Sequence, residues 1–308
     1  SGSPPGTSPT PPSGATPPAV PATARYRVTI NGFEVNGGTT EDLLRRDGAG
    51  DEIYAAANIA VLDRVTPRFL ANPTTVKSLV HGDAGNYGGR VQAGSASPMG
   101  GMQRGDHFPA NVDPSSGSAG APSTSTFPLL LFEGPLTNGQ EVIVIHPTLW
   151  EWDGDQTAFG IWTTQATINT AVPITVLSTL AQEIASASIS VTDLQGPGDN
   201  VLTAPGLKLQ ELMAMLPNGQ PISIRSGMDR PIGLAPLSSP PGKPASMLLK
   251  WQDRVVVLTK EKIDAALGGT YTIGATGIIP VRLVDSNPMG DLGYNGNYVL
   301  YLRVERVP

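Results

Sequence analysis

Thirty-six glycines and thirty prolines punctuate the 308-residue chain, and both residues favour turns over the interiors of helices and strands. A chain interrupted this often folds as short elements joined by many loops, which favours an all-β arrangement over a helical one. Charged residues are 15% of the sequence, below the roughly 25% of an average soluble domain. The 39% of hydrophobic residues is enough for a packed core.

Residues 1–24 stand apart. They hold no charge before Arg25 and almost no large apolar side chain, so they cannot bury enough surface to offset their ordering entropy. Repeated proline stiffens such a segment toward polyproline II. The sequence therefore predicts a disordered Pro/Ser/Thr/Gly-rich tail over 1–24. A single β-sandwich domain follows over 25–308, with a loop-rich excursion at 82–126 and a helical insertion at about 165–217.

Strand signals open and close the folded part. Tyr26, Val28 and Ile30 alternate with polar partners, and Tyr298, Leu300, Leu302 and Val304 do the same near the C-terminus. Ile53–Leu62 suits a strand with one bulge, although its alanines also permit a helix. Phe127–Phe132 and Glu141–His146 are strand-like, the second bounded by Pro147, and Gly134–Gly139 reads as a hairpin connection between them. Val255–Leu258, Tyr271–Ile273 and Ile278–Val284 complete the set. Helical spacing is strongest over 173–187 and 206–216. A third helix is expected to start at Thr259 as N-cap and end at Gly268-Gly269. Strands at both extremes with helices between predict a mainly β fold: a β-sandwich, C2-like or jelly-roll-like, with a helical insertion.

Several functions are excluded or weakened. The net charge is −6, and the nearest approach to a basic patch, Arg45-Arg46, runs straight into Asp47, Asp51 and Glu52. Nucleic acid is not an expected partner, and no polybasic membrane patch is present. The absence of cysteine rules out disulfides, thiolate metal sites and cysteine nucleophiles. No apolar run approaches the roughly 18 residues of a membrane helix, so membrane insertion is not expected. No nucleophile elbow occurs, and the only Gly-Lys step, Gly242-Lys243, meets Pro244 where a phosphate loop needs Ser or Thr. No catalytic residue is assigned. Glu133, Glu141 and Glu151, near strand ends, are the carboxylates a hydrolase would use.

Three acidic loops remain. The first is Asp47-Gly-Ala-Gly-Asp51-Glu52, the second Asp153-Gly-Asp155 after Trp150-Glu-Trp, and the third Asp285 to Asp291. Glycine lets the backbone turn sharply enough for carboxylates to converge. Calcium takes six to eight oxygens, and loops from one end of a sandwich cluster in space. Asp47, Asp51, Glu52, Asp153, Asp155, Asp285 and Asp291 are therefore candidate metal ligands, with Ca2+ the cofactor they would take. Equally, the first loop reads as a solvated turn whose carboxylates cap backbone N–H groups, the second as a polar β-turn beside two core-anchoring tryptophans, and the third as a hairpin connection rich in turn formers.

The strand running into Trp152-Asp153-Gly-Asp155 resembles the calcium loop of C2-type β-sandwiches, where a strand ends in an aromatic-Asp-x-Asp turn. The resemblance covers about forty residues in two loops. It implies a metal role for Asp47, Asp51, Asp153 and Asp155. It does not extend to lipid binding, because a second Asp-x-Asp and a basic strand are missing. The tail resembles the stalk of bacterial lipoproteins, whose lipidated cysteine would stand before Ser1, outside this sequence.

The histidines, His81, His107 and His146, read as surface or loop residues. Trp150, Trp152 and Trp162 read as core anchors, with a sugar-stacking row as the alternative. Asp229-Arg230-Pro231-Ile232-Gly233 reads as a compact turn that an arginine–carboxylate pair would hold. Together these features predict a secreted or surface-tethered, extracellular or periplasmic protein with a non-enzymatic binding or structural role. Its protein or glycan partner is unspecified. The alternatives are a self-assembling subunit of a surface layer or filament, and a carboxylate-dependent hydrolase.

Overall fold

The computed structural model describes residues 22–39, 50–63, 65–66, 68–82, 88–117, 120–168, 221–223, 228–236, 248–251, 256–270, 274–285 and 296–308. Most of them are strand, arranged as two packed sheets with a small helical part. The helix candidates at 173–187 and 206–216, the strand candidate Tyr271–Ile273, Asp47 and Asp291 lie outside these residues, as do 1–21 of the tail.

The first sheet is antiparallel. Its centre is β1 (Thr23–Gly37), which pairs along its length with β16 (Asn297–Val307), and β16 pairs in turn with β15 (Ile278–Val284). The other edge of β1 is shared: β8 (Leu129–Thr137) covers Thr23 to Ile30, and β7 (His107–Phe108) covers Phe33 and Glu34. A register shift between Ile30 and Gly32 changes which residues face inward. Tyr26, Val28 and Ile30 are buried before it, Phe33 and Val35 after it. A bulge adds one residue and flips the side-chain parity. Gly32 is needed there because a Cβ would stand 2.2 Å from the Phe108 carbonyl oxygen.

The second sheet is built on β2 (Ile53–Asp63) and β9 (Glu141–Glu151), paired over their full lengths without a register shift. The expected bulge in β2 is therefore absent from this pairing. Three short strands line the free edge of β2: β3 (Arg68–Phe69), β4 (Thr74–Lys77) and β5 (Val80–Gly82). β6 (Arg90–Gln92) runs parallel to β5. On its own free edge, β9 carries β11 (Arg230–Pro231) and β14 (Val256–Thr259). A separate three-stranded ladder joins β10 (Pro221–Ser223), β13 (Leu248–Trp251) and β12 (Leu234–Pro236).

Two sequence readings change. β8 and β9 do not form a hairpin: each pairs in a different sheet, so residues 138–140 carry the chain across the sandwich. β9 also continues through Pro147 to Glu151. Pro147 lies opposite Ala57, in the stretch that neither β14 nor β11 covers, where a missing N–H breaks no ladder on that edge.

The alanines of β2 have a simple reason. Ala55 and Ala57 face the main core between the sheets, while Tyr54 and Ala56 face a second cluster on the outer side. A strand buried on both faces reads as a continuous apolar run rather than an alternation. The outer cluster is covered by α1 (Thr157–Ile168), which presents Ala158 and Trp162 to Trp150 and Tyr54. The sequence reading had placed the helical insertion only from about 165, so the start of this helix was missed.

Each end of the sandwich is closed differently. At the end where β1 starts and β16 stops, α2 (Lys260–Leu267) inserts Ile263 and Ala266 into the core. Thr259 caps it as expected, its side chain accepting from the Lys262 N–H, with Gly268 at the other terminus. Tyr26 donates to Asp264 at 2.6 Å, and Lys260 and Arg306 bond the same carboxylate. At the opposite end, where β1 and β9 stop and β2 and β16 start, the closure is polar.

Candidate functional site

Strand pairing dictates what gathers at that polar end. Glu151 lies opposite Ile53 on β2 and opposite Arg230 on β11. Ile53 faces the core, so Glu151 and Arg230 face inward beside it, because directly paired residues share a face. Tyr298 enters from the start of β16 and Asp285 from the end of β15. Asp51 precedes β2. Five strand ends thus deliver polar groups into a space that hydrophobic residues fill elsewhere in the sandwich.

Arg230 is the centre. It is 1% exposed, its Nε donates to Glu151 at 3.2 Å, and its Nη1 stands 3.8 Å from Asp285. A planar guanidinium with several fixed donors suits such a site better than a lysine would. Asp51 accepts from the Thr39 N–H at 2.6 Å, from the Thr39 hydroxyl at 2.7 Å and from the Tyr298 hydroxyl. Burial pushes its carboxyl above the usual range, and the Tyr298 and Thr39 hydrogen bonds and the Arg230 charge pull it partly back. Tyr298 is driven up by burial and by the Asp51 charge, so its hydroxyl stays a donor.

Asp285 accepts from the backbone N–H groups of Gly233 at 2.7 Å and Gly296 at 2.9 Å. It therefore ties the turn after β11 to the approach to β16. Asp229, fully buried, does the same for the second acidic loop. One oxygen accepts from the Asp153 and Gly154 N–H groups at 3.0 and 2.9 Å, and the other accepts from the Tyr54 hydroxyl at 2.9 Å. Asp153 is half-buried, and burial raises its carboxyl. A hydrogen bond with Glu151 and the Arg230 charge oppose that rise.

The sequence-predicted ligands therefore divide. Asp51, Asp153 and Asp285 lie in one network around Arg230. Glu52 faces elsewhere and pairs with Arg90, whose guanidinium stacks 4.5 Å from the Trp152 ring centre. Asp155 accepts from the Thr157 N–H and hydroxyl at 3.0 and 2.5 Å, at the start of α1. Among the described residues, no group of three or more His, Asp or Glu side chains is placed to hold a metal ion. Asp47 and Asp291, outside those residues, complete the predicted set.

Sequence reasoning missed Tyr54 and Tyr298, read Asp229 and Arg230 only as part of a compact turn held by an arginine–carboxylate pair, and gave Glu151 only a hydrolase role. One signal was available. Asp229-Arg230 stands between Met228 and Pro231-Ile232, and adjacent charges inside an apolar run mark a buried pair. Two of the three histidines were also misread. His81 and His146 are buried, at 0% and 3% exposure, His146 edge-on to the Trp162 ring at 5.7 Å. Trp150 and Trp162 are core residues, as expected. Among the described residues, no helix is long and apolar enough to cross a membrane.

Comparison of the chain with protein-family models, with curated proteins and with solved structures found no match.

Proposed function

We propose that the chain is a secreted or surface-tethered β-sandwich protein with a binding or structural role, and that the Arg230 network holds its outer loops in place. The observation that carries this reading is the polarity of the sandwich. Arg25 pairs with Val307, so the N-terminal tail and the C-terminus leave from one end. The polar network and the ends of β1, β9 and β15 lie at the other. Fifteen residues of β1, at about 3.3 Å each, separate the two ends by on the order of 45 Å. A stiff Pro-rich stalk joined at one end holds the opposite loops away from its anchor. In this reading the buried carboxylates serve fold geometry: each accepts from Arg230, from a tyrosine or from backbone N–H groups.

Surface labelling tests it. An antibody raised against the folded domain is expected to stain intact cells that make this protein, and brief protease treatment of those cells is expected to cut within the tail and release the domain. A protein found wholly inside the cells, unlabelled and protected, would end the tethered reading.

A second reading, loop calcium, draws on charge. Asp51, Glu151, Asp153 and Asp285 bring carboxylate oxygens together around Arg230, and oxygen-rich sites of this kind are what a divalent cation takes. Calorimetric titration of chelator-treated protein with Ca2+ separates the two. Saturable heat with a rise in melting temperature supports the ion; no heat and no rise leaves neutralisation to Arg230 and to protons.

A further inference from the structure

Away from the polar end, His81 sits in an aromatic cluster that the proposed role does not use. Its ring centre lies 4.2 Å from that of Phe108, 4.9 Å from Phe127 and 6.5 Å from Phe33. The residue is fully buried, and among the described residues its ring meets the backbone of Ile53 and Leu79 and no charged partner. Three phenyl rings stabilise a neutral imidazole and offer no carboxylate to an imidazolium.

Among the described residues, the charged groups on the surrounding elements are engaged elsewhere. Glu34, next to Phe33 on β1, accepts from Tyr301 at 2.8 Å. His107 on β7 has its Nδ1 2.8 Å from the Pro109 carbonyl oxygen. Arg90 on β6 and Glu52 beside β2 pair with each other. Asp51 bonds Thr39 and Tyr298.

His81 also lies where the loop-rich segment 88–109 is fastened to the sandwich. It pairs with Ile53 on one side and Val91 on the other. Its neighbour Gly82 accepts from the Ala93 N–H at 2.9 Å. Met102 and Asp51 exchange backbone hydrogen bonds at 2.8 and 2.9 Å, and Val35 exchanges bonds with Asp106 and Gly105. Phe108 itself belongs to the segment.

We infer that the His81, Phe33, Phe108 and Phe127 cluster is an acid-sensitive latch, which holds segment 88–109 against the sandwich while His81 is neutral and releases it when the imidazole takes a proton. Burial lowers the His81 pKa to about 4, the backbone of Ile53 and Leu79 opposing that shift. A free imidazole titrates near 6.5, so the opened segment binds the proton more tightly than the closed one. Closure is therefore fully favoured above about pH 6.5 and weakens as the pH falls toward about 4. Between about pH 7 and pH 5 this difference raises the opening constant about twentyfold.

Hydrogen exchange on the full chain reads this directly. After correction for intrinsic exchange, the amides of Asp51, Ala93, Met102 and Gly105 are expected to lose about twentyfold in protection over that interval. Amides of the β2–β9 ladder should hold. In His81→Phe the loss should vanish. The same loss in His81→Phe would assign it to carboxylates such as Asp106 and overturn the latch, as would unchanged protection in the wild type. Should the variant not fold, the His81 ring signal in the wild-type protein decides: titration well below 6.5, together with the segment's amides, supports the latch, and titration near 6.5 overturns it.

Discussion

Asp229 carries more of the polar end than its single charge suggests. Three donors converge on it: two backbone N–H groups of the second acidic loop and the Tyr54 hydroxyl. Replacing it with alanine leaves all three buried or half-buried without an acceptor, and each orphaned donor costs about 1–3 kcal/mol. Asp229→Ala is expected to lower unfolding free energy by about 3 kcal/mol or more in urea denaturation, whereas Asp155→Ala, at the exposed start of α1, should cost about 1 kcal/mol. Equal losses would place Asp229 outside the network. A second residue-scale expectation concerns Asp264. Burial would raise its carboxyl, but the bonds from Lys260, Tyr26 and Arg306 outweigh that and hold it below the ordinary 3.8. A depressed carboxylate stabilises the fold above its unfolded pKa and loses that contribution as the pH falls through the folded value. The stability gap between wild type and Asp264→Asn should therefore be constant near neutrality and close below about pH 4, measured by denaturation at a series of pH values. A gap that widened with acid would contradict the assignment.

At the scale of elements, what could be read from sequence follows from how local each signal is. The α2 helix was legible to the residue, because a Thr cap, a charged first turn and a Gly-Gly stop all lie within or directly beside it. β16 was legible because its outer face is less buried than its inner one, so alternation survives. β2 was legible as a strand but not told apart from a helix, and the second half of β9 was missed, because both faces are buried and the period-2 signal disappears. The β8–β9 crossing was misread for another reason: Asn138-Gly139 specifies a tight turn, but not whether the following strand pairs with its predecessor or enters the facing sheet. The bulge in β1 was invisible, since only pairing with β16 reveals the extra residue. It gives a prediction of its own. Gly32→Ala sets a Cβ 2.2 Å from the Phe108 carbonyl oxygen and 2.8 Å from Pro114, so β7 must move. Loss of protection at Val35 and Gly105 in hydrogen exchange, with the β15–β16 ladder unchanged, is the expected outcome. An unaltered exchange pattern would mean that the β1–β7 contact is looser than described.

For the whole molecule, the sandwich is closed by a helix at the end where the chain enters and leaves, and by charge at the other. Of the three acidic loops, the described members Asp51, Asp153 and Asp285 stand near Arg230, because connections from one end of a sandwich gather there whatever their sequence. What the carboxylates meet there was not legible. Arg230 arrives from a two-residue strand about eighty positions after Glu151; the sequence announces an arginine–carboxylate pair there but not which carboxylate it meets. Among the described residues the result is a buried network of carboxylates around the Arg230 guanidinium, in which removal of that cation is the severe perturbation. Breaking a buried ion pair from one side costs about 3–5 kcal/mol, because the remaining charges stay desolvated.

Arg230→Met, similar in length and uncharged, isolates that contribution, and its urea unfolding free energy in the presence of chelator is the most direct measurement. A loss of about 3–5 kcal/mol that added Ca2+ does not restore is the predicted result. Stability equal to wild type, or recovery on adding Ca2+, would mean that Arg230 does not hold the outer loops together.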